Sequence, residues 1–538
     1  MAFSAQPPEL VNHTVSFIPR PRDLLSLALT AKSLHGIIIP QHLEFRVVCC
    51  DARRAALWKA LAAQPGLASR FHTLEIVTES DSAPADTARI AVPRSIIEAE
   101  GDSALAKCTV IQSVGKAVIG CDAGCVDALC AAIPNMSGLT RFCWDHPGFM
   151  RLHDPKAIFS AVAQNCVNVR ELEVRFHDGN LAFDDVSGPL WRLTNLTRLS
   201  ITLMSIPMNT SREQRHLAQL LEMLSECPQL QDLRFTYACR RSISLYALFA
   251  QGGSWPHLKR LVIDGDIDIA SPNRDYSAAK DFLRRHPQLE ILSLPYSFEL
   301  PLPPMPHLRW LLLPEFADKS SGNPTFPLLE HVSMTGIYSS PQTDILSIFT
   351  TIRRLPSLNS VAVSFVDPKA LDNLSQTFPQ IERLSLLKSP WNDDRMLAKS
   401  TLLPSEECLA ILTSFQALTH LDSSAAVGID DDLDTVLVPF LKALSAAPRL
   451  KYVSFDSYNP KRRRAASRWV TIVRGQYGEY AGWASTKNLD ECHVHGPPVT
   501  VFRDPVGKAG HAMFLPLGRG PPMSADPADP ADIGGRGP

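Results

Sequence analysis

The sequence predicts an α/β chain in which short parallel strands and helices stack unit upon unit, and three observations lead there. A phrase of proline, any residue, leucine, two residues, apolar, any residue, apolar returns about every 28 residues. Its eight copies read CPQLQDLRF from Cys227, WPHLKRLVI from Trp255, HPQLEILSL from His286, MPHLRWLLL from Met305, FPLLEHVSM from Phe326, LPSLNSVAV from Leu355, FPQIERLSL from Phe378 and APRLKYVSF from Ala447. Four further copies keep the apolar triplet without the proline: Leu139/Phe142/Trp144, Val169/Leu172/Val174, Leu196/Leu199/Ile201 and the degenerate Leu418/Leu421/Ser423. Upstream of several copies, HLAQLLEMLSE before Cys227, AAKDFLRRH before Pro287 and VPFLKALSAA before Pro448 place apolar residues at helical spacing.

Each element follows from these patterns. In residues 1–50, Leu10, Val11, Val15 and Ile18 share one helical face, and Pro19 and Pro21 end that helix. Asp23 then caps a second helix that buries Leu24, Leu25, Leu27 and Leu29. A unit of about forty residues makes a marginal core alone. With this much leucine it leaves apolar surface for a partner. Residues 51–138 hold a linker and first repeat-like units, with a helix and a strand carrying Phe71, Leu74 and Ile76, and a helix in DAGCVDALCAAI.

Residues 139–457 are the repeat array. The closing alternation of the triplet turns two side chains inward on a short strand and the residues between them outward. The proline cannot continue a helix and punctuates helix to strand. One such unit cannot bury its own apolar face, so neighbours must stack into a solenoid. Spacing runs from about 19 residues between Leu289 and Leu308 to about 37 between Ile381 and Leu418. Short units are therefore expected to lack a helix and long ones to carry insertions. Residues 458–503 change pattern, and RWVTIVRGQYGEYAGWA reads as strands that cap the array. Residues 504–538, dominated by glycine, proline and small residues, read as a disordered tail.

The repeat resembles the leucine-rich repeat family, and more narrowly the irregular repeats attached to F-box proteins, which often open with C-P-x-L-x-x-L-x-L. The resemblance covers roughly Leu139 to Phe455. It implies a curved solenoid of short parallel strands with helices outside. The stretch PPELVNHTVSFIPRPRDLLSLALTAKSLHGIIIP resembles an F-box through its P-x-E-L opening, its P-x-D-L-L turn and its K-S-L phrase, although Gln6 and Pro7 stand where leucine and proline are usual. Similar phrases belong to expanded families of mushroom-forming fungi. The resemblance implies a substrate receptor of an SCF-type ubiquitin ligase. Pro8, Leu10, Val11, Val15, Ile18, Leu24 and Leu25 would face a Skp-type adaptor and, through it, a cullin. On the concave face the outward residues would hold an unknown protein substrate. Among them are Glu171, Arg175, Arg198, Asp232, Arg234, Arg260, Asp264, Trp310, His331 and Arg383. A repeat scaffold without a ligase role is the alternative.

Composition narrows the rest. The 538 residues are 45% hydrophobic and 20% charged with a net charge of −2, so no global field argues for nucleic acid or membrane as partner. No apolar run of about 18 residues spans a bilayer, and the amino terminus lacks a secretory pattern, which places the chain in the cytoplasm or nucleus. The twelve cysteines are expected to be reduced core residues. No G-x-S-x-G, H-E-x-x-H, P-loop or Rossmann fingerprint is present, so the expectation is a protein without catalytic residues or cofactor. Three near-motifs read as structural: Cys121, Cys125 and Cys130; Cys492, His493 and His495; and Asp430, Asp431, Asp432 and Asp434 before a helix. The KRRR run at Lys461 reads as a solvated basic loop.

Overall fold

A computed structural model describes residues 6–16, 18, 21–43, 46–77, 109–113, 116–120, 123–146, 150–151, 155–176, 188–204, 210–238, 243–251, 253, 255–265, 267–270, 275–294, 302–313, 326–334, 355, 357–363, 368–386, 406–428, 433–459, 464–474, 480–485, 499–501 and 514–516. Cys121, Cys492, His493, His495, the three aspartates from Asp430 and Lys461 lie outside the described residues. The chain divides into two compact units, one reaching to Val169 and one running from Arg170 to Pro516.

The first unit opens with three helices, α1 (Pro8–Ser16), α2 (Pro21–Ala28) and α3 (Lys32–Ile38), where the sequence reading expected two. Pro21 begins α2 and does not end α1, because a first-turn proline has no intrahelical bond to lose. Asp23 accordingly sits inside the first turn and is not the cap. The chain then breaks at Leu29 and Thr30, and the Thr30 hydroxyl donates to the Leu27 carbonyl at 2.7 Å. The K-S-L phrase therefore opens α3. Val11, Val15, Leu24, Ala28, Leu34 and Ile38 close a small core, with Ile18, Leu27 and Leu43 packed against it.

Strands β1 (Val47–Cys50), β2 (Thr73–Val77) and β5 (Arg141–His146) follow as a parallel sheet, with Leu74 opposite Phe142 and Ile76 opposite Trp144. Between β2 and β5 a hairpin of β3 (Thr109–Ser113) and β4 (Lys116–Gly120) is joined by β6 (Met150–Arg151). The helices Ala55–Ala63 and Ala123–Ala132 pack on one another. Trp58 is fully buried and donates its indole N–H to the Ala52 carbonyl at 2.9 Å. Phe159, from the helix Pro155–Asn165, lies edge-on to Phe142 and against Trp144.

The second unit is the repeat array. Eleven parallel strands run in sequence order: β7 (Glu171–Phe176), β8 (Arg198–Met204), β9 (Asp232–Ala238), β11 (Arg260–Gly265), β13 (Ile291–Ser293), β14 (Trp310–Leu313), β15 (His331–Met334), β16 (Ser360–Val363), β17 (Arg383–Leu386), β18 (His420–Gly428) and β19 (Tyr452–Asn459). A small parallel pair, β10 (Ile243–Ser244) with β12 (Ile267–Asp268), lies outside that sheet. Strands β20 (Arg464–Arg474) and β21 (Tyr480–Ser485) then turn antiparallel and end the parallel run. Phe514–Pro516 pairs antiparallel with Val499–Val501.

The register explains the repeat. Leu172, Leu199, Leu233, Leu261, Leu292, Leu311, Val332, Val361, Leu384, Leu421 and Val453 are laterally aligned, and each is at most 2% exposed. Burying a side chain of this kind stabilises by about 1.5–3 kcal/mol, so this row dominates the core. Beside it runs a spine of shared carbonyls. Arg170 O accepts from Thr197 N and Arg198 N, Thr197 O from Gln231 N and Asp232 N, and the pattern repeats through Gln231, Lys259, Glu290, Arg309, Glu330, Asn359, Glu382 and Thr419, every bond at 2.7–3.1 Å. The spine is unbroken across the 19-residue unit, which shows no helix among its described residues, and across the 37-residue one, which contains the helix Glu406–Leu412.

In the copies with an upstream helix the proline stands between helix and strand, as the sequence expects, and the hydrogen bonds there add a turn. In all eight copies the leucine position donates its N–H back to the carbonyl of the residue before the proline, as in Leu230 to Cys227 at 3.1 Å and Leu289 to His286 at 3.2 Å. The proline thus sits at the second position of a β-turn, where its fixed φ is favourable. Pro228, Pro256, Pro287, Pro306, Pro327, Pro379 and Pro448 are exposed. The preceding residue is a core position every time: Cys227, Trp255, His286, Met305, Phe326, Leu355, Phe378 and Ala447 are all buried.

Candidate interaction surfaces

Two surfaces carry the residues that the sequence singles out, one in each unit. On the outward side of the second unit's sheet, the first residues of successive strands form a lateral row: Glu171, Arg198, Asp232, Arg260, Ile291, Trp310, His331, Ser360, Arg383, His420 and Tyr452.

Its first third is a ladder of charges held by one another. Arg198 pairs with Glu171 at 3.1 Å and with Asp232 at 3.3 Å. Arg234 grips both oxygens of Asp232 at 2.9 and 3.0 Å, Arg260 approaches the same carboxylate at 3.6 Å, and Arg175 pairs with Glu173 at 2.6 Å. Asp232 is only 3% exposed, so its expected role as a displayed contact is corrected: it anchors three arginines. Arg175, Arg198, Arg234, Arg260, Glu171 and Asp264 keep partial exposure.

The middle third is closed. Trp310 is 8% and His331 3% exposed, and both are corrected from displayed contacts to buried ones. Strands of three or four residues at sheet spacing bring such bulky side chains into contact with each other, and the two rings stack at 4.5 Å. His331 Nδ1 lies 2.7 Å from the Ser360 hydroxyl. Burial first, and then the Arg383 charge, push the His331 imidazole down to about 3. In the folded chain the ring is neutral, whereas the unfolded chain takes up a proton from about pH 6.5 downward. Stability is therefore present above about pH 6.5 and is lost as pH falls toward 3, at up to about 1.4 kcal/mol per pH unit. Urea midpoints at pH 7 and pH 4.5 are expected to differ less for His331→Phe, which can still stack on Trp310, than for the wild type.

In the last third, after a partly exposed Arg383, the His420 and Tyr452 rings stack at 4.7 Å, and the Lys451 ammonium lies 4.9 Å from the centre of the Tyr452 ring. Here the structure adds a residue that the sequence reading passed over. Asp422 accepts from the Ser385 hydroxyl at 2.8 Å and from the Ser454 hydroxyl. Its signal was its register position: it lies between the last two members of the degenerate triplet, Leu421 and Ser423, aligned with Ser385 and Ser454.

The second surface belongs to the amino-terminal helices. Leu10 is 54%, Leu25 40% and Leu29 72% exposed, and Pro8 is exposed beside them in α1. Val11, Val15 and Leu24 are at most 1% exposed, which moves these three from partner-facing to core residues, and Ile18 packs half-buried against that core. Leu29 moves the other way, since the helix break at Leu29 and Thr30 takes it off the buried stripe. Thr14 is exposed and donates its hydroxyl to the Leu10 carbonyl at 2.8 Å.

Among the described residues, no group of three histidine, cysteine, aspartate or glutamate side chains is placed to hold a metal ion, and no helix is long and apolar enough to cross a membrane. Cys49, Cys50, Cys125, Cys143, Cys166, Cys227 and Cys408 are buried. Burial pushes the Cys166 thiol up to about 12, which keeps it protonated and unreactive.

No family model and no curated protein matches the chain. Among solved structures it is similar to the functional domain of InlJ from Listeria monocytogenes, which includes a cysteine ladder, at 15% identity and a TM-score of 0.26, over 61% of this chain and 60% of that one. It is also similar to the complex of Rad7 and Elc1 in yeast, at 16% identity and a TM-score of 0.35, over 55% of this chain and 72% of that one. The chain thus spans less than two thirds of the InlJ domain. What the architecture states by itself is an α/β leucine-rich repeat solenoid: one short parallel strand per unit, a buried leucine row, and a turn and carbonyl spine repeated without interruption.

Proposed function

We propose that this chain is a non-catalytic receptor subunit of an SCF-type ubiquitin ligase, working in the cytoplasm or nucleus. Its amino-terminal helices act as an F-box that docks a Skp-type adaptor and through it a cullin. Its repeats hold a target protein. The observation that carries the reading is the division of leucines in the helical unit: a closed core of Val11, Val15, Leu24 and Leu34 supports Leu10, Leu25 and Leu29, large apolar side chains left facing water. Exposed apolar groups on a small, closed unit mark a docking surface. The chain would perform no reaction. Holding a target close to the ligase's catalytic subunits raises the effective concentration of its lysines there.

The target-facing groups would be the partly exposed residues at the two ends of the outward row, Glu171, Arg198, Arg260, Arg383 and Tyr452, with acidic, basic and aromatic character suited to a protein partner. The ladder is internally paired, so it does not form the uniformly basic track that a nucleic acid needs.

The test is a binding measurement between the full-length chain and a purified Skp-type adaptor, with a Leu10→Asp, Leu25→Asp double variant. Both leucines are exposed, so the core beneath them is left intact. The expected result is micromolar or tighter binding, weakened at least about 100-fold in the variant, since each buried leucine is worth about 1.5–3 kcal/mol. Leu328→Asp, at another exposed leucine, should bind as the wild type does. Failure of the folded wild type to bind, or binding unchanged in the double variant, would overturn the proposal.

A further inference from the structure

The exposed leucines of the amino-terminal helices are split between two elements: Leu10 stands on α1, whereas Leu25 lies on α2 and Leu29 at the break that follows it. A single partner surface can meet all three only if α1 holds a fixed rotation relative to α2. Apolar burial alone does not set that rotation. Val11 and Val15, four residues apart, turn one narrow stripe of α1 to the core, and apolar contact is non-directional. Each helical residue advances about 100° around the axis, so Leu10 and Asn12 stand on opposite flanks of that stripe.

The Asn12 flank is tied. His42 Nε2 lies 2.8 Å from Asn12 Oδ1 across 30 residues of chain, and the pair is partly buried. An amide oxygen only accepts, so Nε2 is the donor. His42 belongs to the π-helical turn Ile39–Leu43, a rare geometry, in which Ile39 and Leu43 pack against the same core as Val11 and Val15. That turn also packs on α2 and on α3. One directional bond therefore joins the helix carrying Leu10 to the turn that braces the helix carrying Leu25.

We infer that His42 and Asn12 are positioning residues of the docking surface, their hydrogen bond fixing the rotation of α1 and with it the place of Leu10 relative to Leu25 and Leu29. This rests on the docking role proposed above for these helices. Both residues act through α1. With the bond broken, α1 is free to rock about its two-valine stripe, and part of the docking free energy goes into ordering it again.

The full-length chain would be titrated with a purified Skp-type adaptor, beside His42→Ala, Asn12→Ala and the variant carrying both. Each single change is expected to weaken binding about three- to tenfold, the range of one partly buried hydrogen bond. The double variant should lose no more than either single one, because all three remove the same bond. His42→Gln, whose amide nitrogen can donate in place of Nε2, should recover most of the loss. Ile39→Val removes one methylene group from the side of the same core, lowers the urea midpoint to a similar degree and should bind as the wild type does, which separates positioning from plain loss of stability. Binding unchanged in His42→Ala and Asn12→Ala, losses that add in the double variant, or an equal loss in Ile39→Val would overturn this inference and leave the docking reading standing. Failure of the folded wild type to bind would overturn the docking reading and this inference with it.

Discussion

Replacing Asp232 with alanine is expected to destabilise the second unit by about 3–5 kcal/mol, because it removes the buried carboxylate that three arginines share. The carboxylate is 5% exposed at its side chain, with Arg234 on both oxygens and Arg198 and Arg260 within 3.6 Å. Urea denaturation would measure it. Glu330→Ala supplies the contrast. It removes a carboxylate that Arg309 also grips on both oxygens, but the two side chains are 33% and 50% exposed, so a loss of only about 0–1 kcal/mol is expected. Equal losses in the two variants would mean that the ladder is an ordinary surface pair and that Asp232 is not its anchor.

A second large effect is expected at Gly265, the last residue of β11. Its φ is +94°, and a Cβ built there would run into the Tyr237 carbonyl of the neighbouring strand, with the carbonyl carbon at 2.7 Å. Gly265→Ala combines backbone strain with a collision against main chain, which no rotamer change can relieve, and should lower stability by about 3 kcal/mol or more. Gly36 in α3 gives the opposite sign. An added Cβ meets nothing within 4 Å, so Gly36→Ala should raise stability by about 0.5–1 kcal/mol through helix propensity. Thermal melts of both variants would check the pair, and a neutral Gly265→Ala would show that β9 and β11 are further apart than described.

Much of this architecture was readable in the chain because repetition averages out local ambiguity. Leu233 alone proves nothing, but Leu233, Leu261, Leu292 and Leu311 at one offset from a proline require laterally aligned strands, and the register places them so. The inward face was legible for that reason. The outward face was not, because period-two alternation says which way a side chain starts out and nothing about what meets it there. Trp310 and His331 start outward and end buried in each other's company. Asp232 starts outward and is enclosed by arginines from its own strand and both neighbouring strands. In the helical unit, apolar spacing marked Leu10 and Val11 alike, and only the position of α3 decides which is 54% and which is 1% exposed. The proline's part in a turn was missed because helix termination and turn initiation share the same residue and lie one step apart.

The carbonyl spine separates two kinds of change that most folds confuse. Every unit hands its neighbour the same pair of amide contacts whether it is 19 or 37 residues long, so alignment is renewed at each strand and no error accumulates from one to the next. A segment lengthened between two strands leaves the downstream side chains aimed as before. Chain length can therefore vary freely in the connections, and new contact shapes can arise there, while the ordered edge that organises them stays constant.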